Sequence, residues 1–195
     1  MPYALCLSCF ADDCLPYKLT PHIEIKTPAV RREIVQPSEQ TDYAHGNVVA
    51  TLSENFEITA QPTSIKNGAC VALKSVAATV GYNDFTITID GRHARNSCTY
   101  NAILKHELEH VKIYQSVIDD YSEQIMAAVQ SAADSATPIF APSANDTENA
   151  LDAFHRRIQQ NPEIILLRQK IQAEQEIRNK KFDRTATSDI LKECR

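Results

Sequence analysis

The sequence predicts an α+β fold: a small antiparallel sheet in the N-terminal half, packed on one long helix, with C-terminal helices returning over it. Three observations carry this expectation. Short alternating runs of β-branched and aromatic residues fill the region from His22 to Asp90. No Gly or Pro occurs between Asn101 and Ala133. Asn161-Pro162-Glu163 then supplies a cap, a first-turn proline and an acid in the order that starts a helix.

The elements follow in order. Residues 22–26 (HIEIK) and 55–60 (NFEITA) alternate, as do 69–80 (ACVALKSVAATV) and 85–90 (FTITID). The polar stretch from Gln36 to Gly46 reads as a loop. Asn67-Gly68, Asn83-Asp84 and Asp90-Gly91 bound the later runs as turn residues, and Asn83-Asp84 predicts a hairpin of 70–81 with 85–92. The long helix spans about 101–133, with Leu104, Leu108, Val111, Ile118, Ile125 and Val129 as its apolar stripe. Ser97 or Thr99 caps its start. A loop covers 134–146, a second helix runs from about Asp146 to Gln160, and a third continues to about Phe182. A short terminal helix is placed between Thr187 and Cys194.

A chain of 195 residues that is 43% hydrophobic has enough apolar side chain for a core, and 12–195 is read as a single domain. A net charge of −5 without a long basic run argues against nucleic acid as the partner. No apolar run approaches the roughly 20 residues that span a bilayer, so no transmembrane segment is expected.

His106-Glu107-Leu108-Glu109-His110 is the motif that carries chemistry. On a helix, residues four apart share a face, so both imidazoles can reach one Zn²⁺. Glu107, beside them, is placed to act as general base rather than as a ligand. A catalytic zinc takes three protein ligands, so one more must come from elsewhere. The long helix continues about 23 residues past His110, roughly 35 Å at 1.5 Å per residue, and the return brings residues 170–183 level with the motif. Glu174, Glu176 and Asp183 are the acids of that window. Glu174 follows the Ile164–Leu167–Ile171 stripe, where an acid needs a partner, and a metal is one. Glu148 is a rival, and His155 and His93 are further candidates. Tyr100 and Tyr114, with Arg92 and His93, lie near enough in sequence to donate to a developing oxyanion, and Tyr121 lies two turns beyond Tyr114.

Met1–Ala11 is apolar and rich in small residues before Asp12-Asp13, as at the end of a secretory signal peptide; a buried N-terminal strand is the other reading. Cys6 and Cys9 lie in that segment. Without it four cysteines remain: Cys14, Cys70, Cys98 and Cys194. Two disulfides in an exported protein are expected, with Cys70–Cys98 as the local pair and Cys14–Cys194 joining the ends, among three pairings open. The alternative is a cytosolic protein with reduced thiols.

Gly81-Tyr82 and the run from Ser97 through Tyr100-Asn101 to the H-E-x-x-H helix resemble a family of small bacterial predicted secreted zinc-dependent proteases. The resemblance covers roughly residues 48–195, with Asp183 and Cys194 at the positions of a late Asp and Cys. It implies a minimal zincin-like domain, export to the periplasm or outside, disulfide bonds and metallopeptidase chemistry on a peptide or protein substrate; it leaves Asp183 and Glu174 both open as third ligand. Glu148-x-x-x-Asp152 is similar to the downstream acidic helix of thermolysin-like enzymes. Val111-Lys112-Ile113-Tyr114 after the motif excludes the metzincin extension. Two alternatives stand beside the peptidase: a zinc-binding structural or interaction protein of the envelope, and a metal-free helical protein of the cytosol.

Overall fold

The computed structural model describes residues 12–38, 45–186 and 194. A 3-10 helix, Asp12–Tyr17, precedes β1 (His22–Lys26), β2 (Arg31–Val35), β3 (Gly46–Ile65) and β4 (Gly68–Ile89). Then come α1 (Cys98–Asp134), β5 (Ile139–Ala141), α2 (Ala144–Gln159) and α3 (Pro162–Ala186). The segment 1–11 and the terminal helix expected near 187–193 lie outside the described residues.

The antiparallel sheet of an α+β fold is not what forms; the fold is of the α/β type. β1 and β2 both pair with β4 in parallel, His22 opposite Ser75 and Arg31 opposite Asp84, while β5 pairs with β4 antiparallel. β3 also pairs with β4, and its two-residue connection, Lys66-Asn67, leaves room only for a hairpin. The parallel pairing has a simple origin. β3 doubles back into β4 at that turn, so β4 again runs in the direction of β1 and β2.

The expected hairpin at Asn83-Asp84 is absent, because β4 passes through that point as one strand. From Val76 onward its buried side chains are even-numbered up to the dipeptide (Val76, Ala78, Val80, Tyr82) and odd-numbered after it (Phe85, Ile87, Ile89). The turn signal therefore marks a change of inward face within a strand rather than a reversal. Asp84 is held by Arg31 Nε at 2.9 Å. β2 was not expected, nor was β5, which occupies three apolar residues of the stretch read as a loop.

The chain forms two compact units. The first holds the described parts of Met1–Lys26, Asn55–Thr79 and Glu123–Arg168, and the second those of Thr27–Glu54, Val80–Ser122 and Gln169–Arg195. In the first, Val71, Val76, Val129, Phe154 and Ile158 are fully buried. Cys14 and Cys70, both without exposed surface, are bonded there, Cα atoms 5.3 Å apart. Gly68 is needed where β4 meets β5, since a Cβ there would collide with the Ala141 carbonyl oxygen.

In the second unit, Phe85, Ile87 and Ile89 of β4, Ile103, Val111 and Val117 of α1 and Ile171 of α3 are buried. Its disulfide joins Cys98, the first residue of α1, to Cys194. The expected pairs Cys70–Cys98 and Cys14–Cys194 are thus both replaced. A Cys70–Cys98 bridge needs the hairpin that would have brought the chain back; an extended β4 carries it away instead. Among the described residues, no helix is long and apolar enough to cross a membrane.

Candidate metal centre

Ser97 starts α1 by accepting the Tyr100 N–H at 3.1 Å, leaving the H-E-x-x-H residues in the third and fourth turns. The inward face of this part of α1 is Tyr100, Ile103, Glu107, His110, half-buried Tyr114 and Val117, at three- and four-residue steps, with Val111 buried beside it. Leu104, Leu108 and Ile118, which the sequence stripe placed inward, are only half-buried. Glu107 is therefore on the apolar face itself, 4% exposed.

Three side-chain atoms converge. His106 Nε2 and His110 Nε2 are 3.1 Å apart, and Asp183 Oδ1, from the end of α3, lies 3.3 Å from the first and 3.0 Å from the second. Ligands about 2.0–2.1 Å from a tetrahedral zinc stand about 3.3 Å from one another. The triangle thus has nearly the size zinc requires, and its two imidazoles and one carboxylate are a donor set zinc accepts. The same three residues form the one metal-sized cluster of His, Cys, Asp and Glu among the described residues.

The surroundings prepare these atoms for a cation. His110 Nδ1 donates to Asn179 Oδ1 at 2.6 Å, and Asn179 Nδ2 donates in turn to the Gln175 carbonyl at 2.9 Å. With the proton on Nδ1, Nε2 keeps its lone pair. Phe182 stacks on His106 with ring centroids 4.8 Å apart and meets His110 edge-on at 5.1 Å, fixing both ring planes. Burial lowers the His106 pKa, His110 lowers it further, and Asp183 opposes both. A neutral imidazole is the form that ligates.

A cavity of about 290 Å³ opens over this cluster, lined by Glu107 and by His45, Gly46, Asn47 and Val48 at the start of β3. Burial pushes the Glu107 carboxyl up to about 7, with the Asp183 charge adding to the rise. β3 runs so close that a Cβ on Gly46 would sit 2.7 Å from Glu107 Oε1 and 2.8 Å from Ile103 Cγ2. Only glycine leaves Glu107 its place.

The other candidates go elsewhere. Glu174 lies on α3 as expected, but its partner is Arg178, at 2.8 Å, which also reaches Asp120 at 2.6 Å. The acid on the stripe is answered by an arginine one turn on. Glu176 is exposed and pairs with Lys180 at 3.3 Å. Glu148 is an exposed residue of α2, in the first unit, as is the half-buried His155. Tyr114 lines the cavity, its ring edge-on to Tyr82 at 4.7 Å. Tyr100 is buried and does not line it. Arg92 donates to the buried Asp90, its Nε 2.9 Å from Oδ1. His45, Gly46, Asn179 and Phe182 were not found from sequence. Phe182-Asp183 follows Asn179 by one helical turn, and that spacing on α3 was the available signal.

No protein-family model, curated protein sequence or solved structure matches this chain.

Proposed function

We propose that this protein is an exported zinc-dependent metallopeptidase, with His106, His110 and Asp183 as the metal ligands and Glu107 as general base. The observation that carries the reading is the convergence of His106 Nε2, His110 Nε2 and Asp183 Oδ1 within 3.0–3.3 Å, beside a buried glutamate facing the same cavity. The family resemblance of the Ser97–Val111 segment points the same way.

Zinc held there would supply a Lewis acid that acidifies a water and polarises a peptide carbonyl. Each protein group then has a distinct task. Glu107, in its low-dielectric setting, takes a proton from the attacking water and delivers it to the leaving amine. Asn179 holds the His110 tautomer, and Phe182 holds the ring planes. Gly46, Asn47 and Val48 place strand backbone along the cavity wall, where an extended peptide can lie. Disulfides Cys14–Cys70 and Cys98–Cys194 support an oxidising compartment.

The test is metal analysis of purified protein together with Glu107→Gln. Wild type should hold one zinc and cleave an unfolded protein such as reduced casein; the variant should keep the zinc and lose cleavage. Wild type without zinc defeats the metal reading. Zinc without cleavage across a broad peptide library defeats the peptidase reading and leaves a zinc-binding structural protein.

A further inference from the structure

The ligands and Glu107 all stand on α1 and α3, so they form one side of the cavity. The facing wall begins at His45, the residue before β3. Its neighbour Gly46 lies against the Glu107 carboxylate, so His45 flanks the general base at a distance of one residue. Its backbone is anchored: the His45 carbonyl accepts the Asp90 N–H at 2.9 Å, and the Asp90 carbonyl accepts the His93 N–H at 3.1 Å. Asp90 is fully buried and its Oδ1 accepts both the backbone N–H and Nε of Arg92, each at 2.9 Å. This knot ties the start of β3 to the segment after β4 and brings the His93 ring to 5.7 Å from that of His45.

His45 Nδ1 and His93 Nε2 are buried, and neither has a hydrogen-bond partner among the described residues. An unmet buried polar atom costs about 1–3 kcal/mol, so one that persists in a native fold calls for an explanation, a catalytic role among them. Of the other side-chain donors on the cavity wall, Tyr114 has its ring held edge-on by Tyr82 and Phe85, Asn179 Nδ2 is committed to the Gln175 carbonyl, and Asn47 lies on the same strand start as His45. Tyr100 does not reach the cavity.

We propose that His45 is a further catalytic residue, the hydrogen-bond donor to the oxyanion that forms when water adds to the substrate carbonyl, with His93 as its positioning residue. This rests on the peptidase reading above. In the step, the water oxygen bonds to the carbonyl carbon while Glu107 takes the water proton. The C=O π pair moves onto the carbonyl oxygen, and His45 N–H bonds to that oxygen without giving up its proton. Removing a single donor of this kind typically lowers kcat about 10²–10³-fold.

The test uses zinc-loaded wild type, His45→Phe and His45→Gln, with two probes. A phosphonamidate peptide imitates the tetrahedral oxyanion, and a peptide thiol of the same sequence binds without one. His45→Phe should bind the phosphonamidate about 100-fold more weakly, keep its thiol affinity and zinc content, and lose kcat with little change in KM; His45→Gln, which restores an N–H, should recover part of the loss. A second measurement needs no variant: in wild type, the phosphonamidate should protect His45 from diethylpyrocarbonate more than the thiol does, as mapped by mass spectrometry. Phosphonamidate and thiol affinities that fall together or not at all, or equal protection by both, overturn the role of His45 alone. Wild type without zinc overturns the peptidase reading and this role with it.

Discussion

Glu107 should destabilise the metal-free protein as the pH rises, and replacing it by glutamine should remove that effect. Glu107 is 4% exposed on the apolar face of α1, and burial, aided by Asp183, lifts its carboxyl pKa from 4.5 to about 7. The folded state therefore binds this proton more tightly than the unfolded chain. Between about pH 4.5 and 7 the native protein carries more protons here, so stability falls as pH rises, and the loss is complete above about pH 7. At about 1.4 kcal/mol per tenfold change in proton affinity, the full effect is about 3 kcal/mol. Glu107→Gln keeps the shape and removes the charge. Urea denaturation with chelator present, at intervals from pH 4.5 to 8, should give similar stabilities at the acid end and a variant about 3 kcal/mol more stable at pH 8. Parallel curves across that range would refute the argument that Glu107 sits ionisable in an apolar site. Saturating zinc should shrink the difference, because a cation nearby favours the ionised carboxylate.

Other outcomes follow from the same geometry. Asp183→Ala should remove most zinc affinity, while Glu174→Ala should leave it near wild type, since Glu174 pairs with Arg178; a competitive zinc titration separates them. Asn179→Ala should weaken zinc binding about 10–100-fold through the loss of its bond to His110 Nδ1. Gly46→Ala should cost about 1–3 kcal/mol in thermal or urea unfolding, because its methyl would fall 2.7 Å from Glu107 Oε1. Replacing Cys98 and Cys194 by Ser opens a loop of 96 residues. It should lower stability by about 4–5 kcal/mol on chain-entropy grounds.

The metal site was more legible than the sheet, for a physical reason. A helix fixes which residues share a face, so H-E-x-x-H specified two members of the His106–His110–Asp183 cluster from five letters. Counting helical rise then narrowed the third to a window that contains Asp183. Within that window, local periodicity favoured Glu174, but it cannot register Arg178, whose guanidinium satisfies that acid through an i,i+4 pair. A one-residue error in the stripe of α1, Leu104 and Leu108 in place of Ile103 and Glu107, hid how deeply Glu107 is buried. For the sheet, alternation reveals that a run is extended but not which strand it pairs with or in what direction. Arg31–Val35 has four exposed residues and a weak pattern, so β2 left little trace. His45 was silent because its position depends on Asp90, 45 residues away, through a backbone bond.

The second disulfide and the metal triad join the same two parts of the second unit. Cys98 opens the helix that carries His106 and His110, and Cys194 lies beyond the helix end that carries Asp183. Two of the proposed ligands lie four residues apart and come with the helix; the third comes from a distant part of the chain, and its effective concentration depends on what holds α3 against α1. In the described structure that role is shared by Ile171 in the core, the Arg178–Asp120 pair, the His110–Asn179 bond, the Phe182 ring and the covalent link. If the proposed site holds zinc, holding the ion and holding the fold together are coupled: an ion bound to all three residues would stabilise the packed state by mass action, and the bridge narrows the unbound ensemble that must otherwise be ordered. Such coupling favours a site completed only after oxidation. Reduced, newly made chain would hold its two histidines in place while Asp183 remained loosely tethered, so zinc affinity should rise when Cys98 and Cys194 join.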